Sequence, residues 1–172
     1  LSVKKNIVLV GFMGTGKTSV GKALAKKLGR SVIDIDRLIE EKEKRKISEI
    51  FEKDGEPRFR EIEKEVILAR ASSQGAVITT GGGAVLDPQN IEALRRNGVI
   101  VALLASPETI FERVRHAKHR PLLNGKDMLA EIKRLLAIRD PYYRQSDLQL
   151  ETDGLTADEA ADTILNALKD KL

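Results

Sequence analysis

"NIVLVGFMGTGKTS", residues 6–19, passes from an apolar, β-branched run into Gly11, Gly14 and Gly16 and ends on a lysine followed by two hydroxyls. The run over 6–11 predicts a buried parallel strand. The apolar spacing of "KTSVGKALAKKLG" (17–29) predicts a helix that stops at Gly29. Between them, Gly11, Gly16, Lys17 and Thr18 satisfy the spacing G-x-x-x-x-G-K-[ST], in the strand-to-helix context that this motif requires. Glycines let the backbone wrap an anion with successive N–H groups pointing inward. The helix that opens near Gly16 adds the positive end of its dipole. Lys17 then supplies a point charge to the outer phosphates, and the Thr18 hydroxyl a ligand for Mg²⁺. The stretch Gly14, Thr15, Gly16, Lys17, Thr18 and Ser19 is therefore read as holding the phosphates of a nucleoside triphosphate.

Working outward, "RSVIDID" (30–36), "AVITTGGG" (76–83), "GVIVALLA" (98–105) and "SDLQLET" (146–152) read as four further strands. Helices are expected between them. "ISEIFEKDG" opens near Ser48 and closes at Gly55, and "PRFREIEKEVILARASSQG" (57–75) follows with Pro57 in its first turn. Asp87-Pro88 and Ser106-Pro107 each place a capping side chain before a proline. "MLAEIKRLLAIRDPYYR" (128–144) reads as helical to the region of Asp140-Pro141, and Thr156-x-x-Glu159 is a capping-box spacing for a last helix. Alternating strands and helices give an α/β fold, a mostly parallel sheet covered on both faces. Ligands of such sheets bind beyond the carboxyl ends of the strands, where the glycines and aspartates of this chain fall.

Composition narrows the function. With 172 residues the chain is expected to form one domain. The absence of cysteine excludes disulfides, thiolate catalysis and thiolate metal sites. The net charge of +4 comes with interleaved acids and bases, as in "EEKEKRK" (40–46), and aromatics are 3% of the chain. That pattern favours a small anionic ligand over nucleic acid, for which base-stacking side chains are lacking. The apolar runs are too short to span a bilayer, and no leader pattern opens the chain, so a cytoplasmic protein with no membrane partner is expected.

A phosphate-binding loop does not name a reaction, so the carboxylates have to discriminate. Motors with an acid at the end of their third strand are disfavoured, because here that strand ends "ITTGGG". The acids are Asp34 and Asp36 in "DID", two apart and expected on one face of the second strand. Asp34 is read as part of the Mg²⁺ shell through water, and Asp36 as the group that accepts a hydroxyl proton. The competing reading is that one or both cap the helix beginning at Arg37.

"GFMGTGKTSVGKALAKKLG" (11–29), "DIDRLIE" (34–40), "DGEPRFREIE" (54–63), "TTGGGAV" (79–85), "RPLL" (120–123) and "IRDPYYR" (138–144) together resemble, in order, the motifs of the shikimate kinase family. The resemblance covers most of the chain. It implies a P-loop NTPase fold of the nucleoside monophosphate kinase type, a three-layer α/β/α arrangement whose five-stranded parallel sheet has the order 2-3-1-4-5. It also implies ATP-dependent phosphorylation of the shikimate 3-hydroxyl, on the route to chorismate and the aromatic amino acids, by a monomer. Arg60 and Arg139 are then implied as carboxylate-binding arginines, since a planar guanidinium matches a carboxylate better than an ammonium does. Asp36 would bind the hydroxyl, and Gly82 would let the ring lie close. On the residues alone, a surface salt bridge of Arg60 with Glu56 or Glu63 is the favoured reading. The basic stretch 113–125 resembles the family lid, with Arg120 reaching the transferring phosphoryl group and Arg113 packing on adenine; His116 and His119 read as solvated lid residues. The substrate-binding region would be about 34–62. "TDGLTA" (152–157) is the adenine-side loop and matches the family weakly. Gluconate and nucleoside monophosphate kinases are the nearest alternatives, but no second phosphate site or base pocket for a nucleotide acceptor can be identified. A P-loop switch or nucleic-acid remodelling module would need partner-binding or oligomerisation elements beyond this domain.

Overall fold

The structure, a computed structural model, describes residues 4–116 and 127–172. Its order is β1 (Asn6–Gly11), α1 (Lys17–Leu28), β2 (Val32–Asp34), α2 (Ile35–Glu43), α3 (Ile47–Arg70), β3 (Val77–Thr79), a 3-10 turn (Ala84–Leu86), α4 (Pro88–Arg96), β4 (Gly98–Leu104), α5 (Pro107–Val114), α6 (Met128–Tyr143), β5 (Leu148–Glu151) and α7 (Ala157–Ala167). The five strands form one sheet in the order β2-β3-β1-β4-β5, every pair parallel. Both β1 and β4 are buried along their whole length, as central parallel strands must be when helices cover both faces.

Alternation along β1 divides the core. Val8 and Val10 face one layer, packed with Ile39, Ile62 and Ile67; Ile7 and Leu9 face the other, against Leu24 and Ile164. Helix ends follow the local signals. Asp87 accepts the Gln89 N–H, Ser106 Oγ accepts the Thr109 N–H, and Thr156 with Glu159 closes a capping box. At Gly55 α3 breaks, with φ 82° and ψ 165°, so the helix closed at Gly55 and the one reopened near Pro57 are two limbs of a kinked element.

Two expectations are corrected. The second strand stops at Asp34, and Asp36 lies in the first turn of α2, so the two aspartates do not share a strand face. The cause is capping: the Asp34 side chain accepts the Arg37 N–H at 3.2 Å and turns the chain into a helix. The helix through Pro141 also runs on to Tyr143, where a tertiary contact holds its last turn. The expected Arg120, His119 and most of the stretch 113–125 lie outside the described residues.

Candidate active site

Two cavities open at the carboxyl end of the sheet. The smaller, about 260 Å³, is lined by Gly14, Gly16, Lys17, Thr18, Ser19 and Asp34 among others. Gly14 and Gly16 have φ of 78° and 96°, a region open to glycine, and that curvature turns the loop around the cavity. The Lys17 ammonium donates to the carbonyls of Gly11 at 2.7 Å and Phe12 at 2.9 Å, which pins it across the loop. Thr15 is the exception in this stretch. It is 1% exposed, and both its hydroxyl and its N–H go to the Phe12 carbonyl, so it braces the loop and does not line the cavity.

The larger cavity, about 540 Å³, lies between α2, the kink of α3 and the triple glycine. Asp36, Arg60, Gly82 and Arg139, drawn from four separate stretches of sequence, all line it. Both arginines have aromatic support: the Arg60 Cζ lies 5.1 Å from the Phe59 ring centroid, and that of Arg139 5.5 Å from the Phe12 ring. Arg60 also donates to Glu63 at 2.8 Å and to Glu56 at 3.2 Å. The ion pairs expected on local spacing therefore exist, and they aim the guanidinium without removing it from the cavity. Burial works to lower the Arg60 pKa, but the Glu63 and Glu56 carboxylates outweigh it and hold it above its ordinary value.

The two cavities meet at Met13, Asp36, Gly81 and Gly82, which line both. A methyl group on Gly81 would come 2.9 Å from Asp36 Oδ1 and 3.0 Å from Glu63 Oε2, so this glycine lies between two carboxylates. A methyl group on Gly83 would strike Arg60 Nη2 at 2.2 Å. The glycines are thus required by close approach, and they let acidic and basic side chains crowd one wall. The arrangement places a carboxylate at the boundary between a phosphate-sized chamber and one with two guanidiniums at its side. It can bring a hydroxyl of an anionic acceptor to a terminal phosphate.

Arg113 lines neither cavity. It donates to the Gly14 carbonyl at 3.0 Å and to the Thr152 hydroxyl and carbonyl at 3.4 Å, tying the phosphate loop to the loop 152–157. Two contributors were not singled out from sequence, Tyr143 against Gly82 and Asp153 on the N-terminus of α5, and neither had a local signal. Glu63, expected only as an ion-pair partner of Arg60, is buried and braces it.

This chain is similar to known proteins along most of its length. The family model described as shikimate kinase matches residues 13–169. A shikimate kinase of Thermodesulfovibrio yellowstonii is 50% identical over 161 residues, 94% of this chain and 93% of that protein. A solved shikimate kinase from Acinetobacter baumannii, in complex with shikimate, superposes with a TM-score of 0.94 at 40% identity, covering 98% of this chain and 96% of that one. The shikimate kinase of Aquifex aeolicus gives 0.83 at 33% identity, covering 95% and 96%.

Proposed function

The chain belongs to the shikimate kinase family, and from that membership we infer its reaction: transfer of the γ-phosphoryl group of ATP to the 3-hydroxyl of shikimate, giving shikimate 3-phosphate and ADP. The observation that carries this reading into the structure is the shared wall of the two cavities, with Asp36, Gly81 and Gly82 on both sides of it. A phosphate donor on one side and a carboxylate-bearing alcohol on the other would meet there.

Each described residue has a role that its position supports. Backbone amides of the loop 14–19, the α1 dipole and Lys17 receive the triphosphate. Arg60 and Arg139 hold the shikimate carboxylate, each able to present two parallel N–H donors. Asp36 accepts or orients the 3-hydroxyl proton as that oxygen attacks phosphorus. Arg113 anchors the nucleotide side, and Arg120 is assigned to the transferring phosphoryl group on the family resemblance alone.

The residues also fit Mg²⁺. Thr18 and Asp34 present only oxygen donors on the cavity that Lys17 lines. Two oxygen-bearing side chains suit a cation held by one or two side chains, substrate phosphates and water. Bound there, Mg²⁺ would neutralise charge on the phosphate oxygens. Asp34 already spends one oxygen on the Arg37 N–H, which fixes its carboxylate at the end of β2.

No helix among the described residues is long and apolar enough to cross a membrane. The same reading has the protein act in the cytoplasm, and as a monomer, one chain supplying both cavities. The deciding experiment measures ADP release with and without shikimate, together with the ³¹P spectrum of the product. Release that requires shikimate, with a phosphomonoester at its 3-position, is expected. Release indifferent to shikimate would overturn the reading, and phosphorylation of gluconate or a nucleotide in its place would move the chain to another kinase class.

A further inference from the structure

Tyr143 is 1% exposed and still carries a hydroxyl. A buried phenol without a partner would be costly. This one donates its O–H to the Gly82 carbonyl at 2.6 Å. The Arg139 guanidinium, one turn earlier on α6, acts electrostatically on the same phenol, and its Nη1 would lie 3.2 Å from a methyl group on Gly82. Gly82, Gly83 and Arg139 line the substrate cavity, whereas Tyr143 does not. The phenol holds the wall from behind.

A planar trans peptide points its C=O and the following N–H in opposite directions. Drawing the Gly82 carbonyl toward Tyr143 therefore turns the Gly83 N–H away from the phenol. Neighbouring carbonyls are used differently: Gly81 O accepts from Ala84 N at 3.2 Å, and Gly83 O from Leu86 N at 3.1 Å. Among the described residues no hydrogen bond within the protein takes up the amides of Gly82 or Gly83. Two adjacent glycines also lack the side chains that would otherwise fix this peptide plane.

We propose that Tyr143 is a positioning residue for the acceptor, fixing the Gly82–Gly83 peptide and the Arg139 guanidinium together as one preset donor pair. The proposal rests on reading the cavity as the shikimate site. Burial pushes the Tyr143 phenol up to about 12, with Arg139 working in the opposite direction, so the hydroxyl stays a donor throughout the working pH range. Arg139 and Tyr143 lie four residues apart on one helix, so a single helical turn delivers both parts of the device.

Tyr143→Phe keeps the ring and removes only the hydroxyl. The KM for shikimate is expected to rise about five- to tenfold, the scale of one lost hydrogen bond, while kcat and the KM for ATP stay within about twofold. The neighbouring Tyr142→Phe serves as control and should change none of the three constants. In the ligand-free protein the ¹⁵N–¹H signal of Gly83 should already differ between wild type and Tyr143→Phe. Adding shikimate should move that signal strongly in wild type and weakly in the variant. An unchanged KM for shikimate in the folded variant would overturn the proposal. So would parallel rises in both KM values with a lowered Tm, the signature of a merely structural tyrosine. Wild type that fails to phosphorylate shikimate would sink the functional reading instead, and the ligand-free Gly83 signal would still decide whether Tyr143 sets the peptide.

Discussion

Arg60 and Glu63 stand one turn apart on α3 and meet at 2.8 Å, and the carboxylate of that pair is only 1% exposed. Burial pushes the Glu63 carboxyl above its ordinary value, Arg60 opposes the shift, and Asp36 adds to it. The ion pair therefore does not offset the full cost of burying the charge, as is common for buried pairs. Its use lies in aiming a guanidinium.

Glu63→Gln tests that use. It keeps the shape and removes the charge, so the KM for shikimate should rise severalfold. A folded-state pKa above the unfolded one means that the folded protein binds the proton more tightly. The contribution of this carboxyl to stability is then full below the unfolded pKa and is lost as pH rises through the folded one. Urea denaturation at several pH values in that window should show stability of wild type declining more steeply than that of Glu63→Gln. Equal slopes would remove Glu63 as the source.

Asp36 lies on the boundary between the two cavities, which motivates a catalytic prediction. Asp36→Asn preserves size but cannot take up a proton as a carboxylate does. Turnover should fall by roughly 10²–10⁴-fold, the range of general-base contributions, while ATP affinity is largely kept. Turnover within a few-fold of wild type would refute the assignment. A raised KM for shikimate with normal turnover at saturation would make Asp36 a binding residue only.

Arg60→Lys and Arg139→Lys retain charge and lose the planar fork. Each should raise the KM for shikimate on the order of tenfold and spare nucleotide affinity, because a charge-assisted bond is lost from the acceptor alone. A shikimate analogue lacking its carboxylate should bind poorly to wild type and be insensitive to both substitutions. Unchanged constants in both variants would contradict the carboxylate clamp.

The parts of this molecule that were legible in sequence are those with local causes. The spacing of Gly11, Gly16, Lys17 and Thr18 defines a loop whose shape depends on few other residues, and the caps at Asp87, Ser106 and Thr156 act within three positions. "RSVIDID" misled because alternation alone cannot tell whether Asp34 continues a strand or captures the Arg37 N–H. Pro141 misled because a helix-stopping signal was overridden by the Tyr143 hydroxyl reaching Gly82, 61 residues away. Arg60 and Arg139 were placed by family resemblance; nothing in their own neighbourhoods distinguishes a substrate clamp from an ordinary ion pair. The fold is mostly local information summed, whereas the site depends on long-range meetings.

The loop 152–157, proposed to face the nucleotide, offers one more such meeting. The Asp153 carboxylate accepts from the N-cap of α5, Ser106 N at 3.1 Å and Ser106 Oγ at 2.9 Å, and from Thr109 Oγ1 in its first turn. The same helix carries Arg113, which grips Thr152 next to Asp153 and the phosphate loop at Gly14. The loop 152–157 is thus fastened at both ends of α5. Asp153→Ala should free it and raise the KM for ATP about three- to tenfold, one or two hydrogen bonds' worth, with the KM for shikimate unchanged. The hydrogen bonds, that from Thr109 foremost, hold the Asp153 carboxyl below its ordinary value. Its contribution to stability is accordingly present above the unfolded pKa and lost as pH falls through the folded one. Wild type should lose more stability than Asp153→Ala on acidification through that window, as followed by thermal unfolding at fixed salt. If the KM for ATP does not move while the acid sensitivity does, Asp153 serves the helix end alone and the base-side loop is held by Arg113.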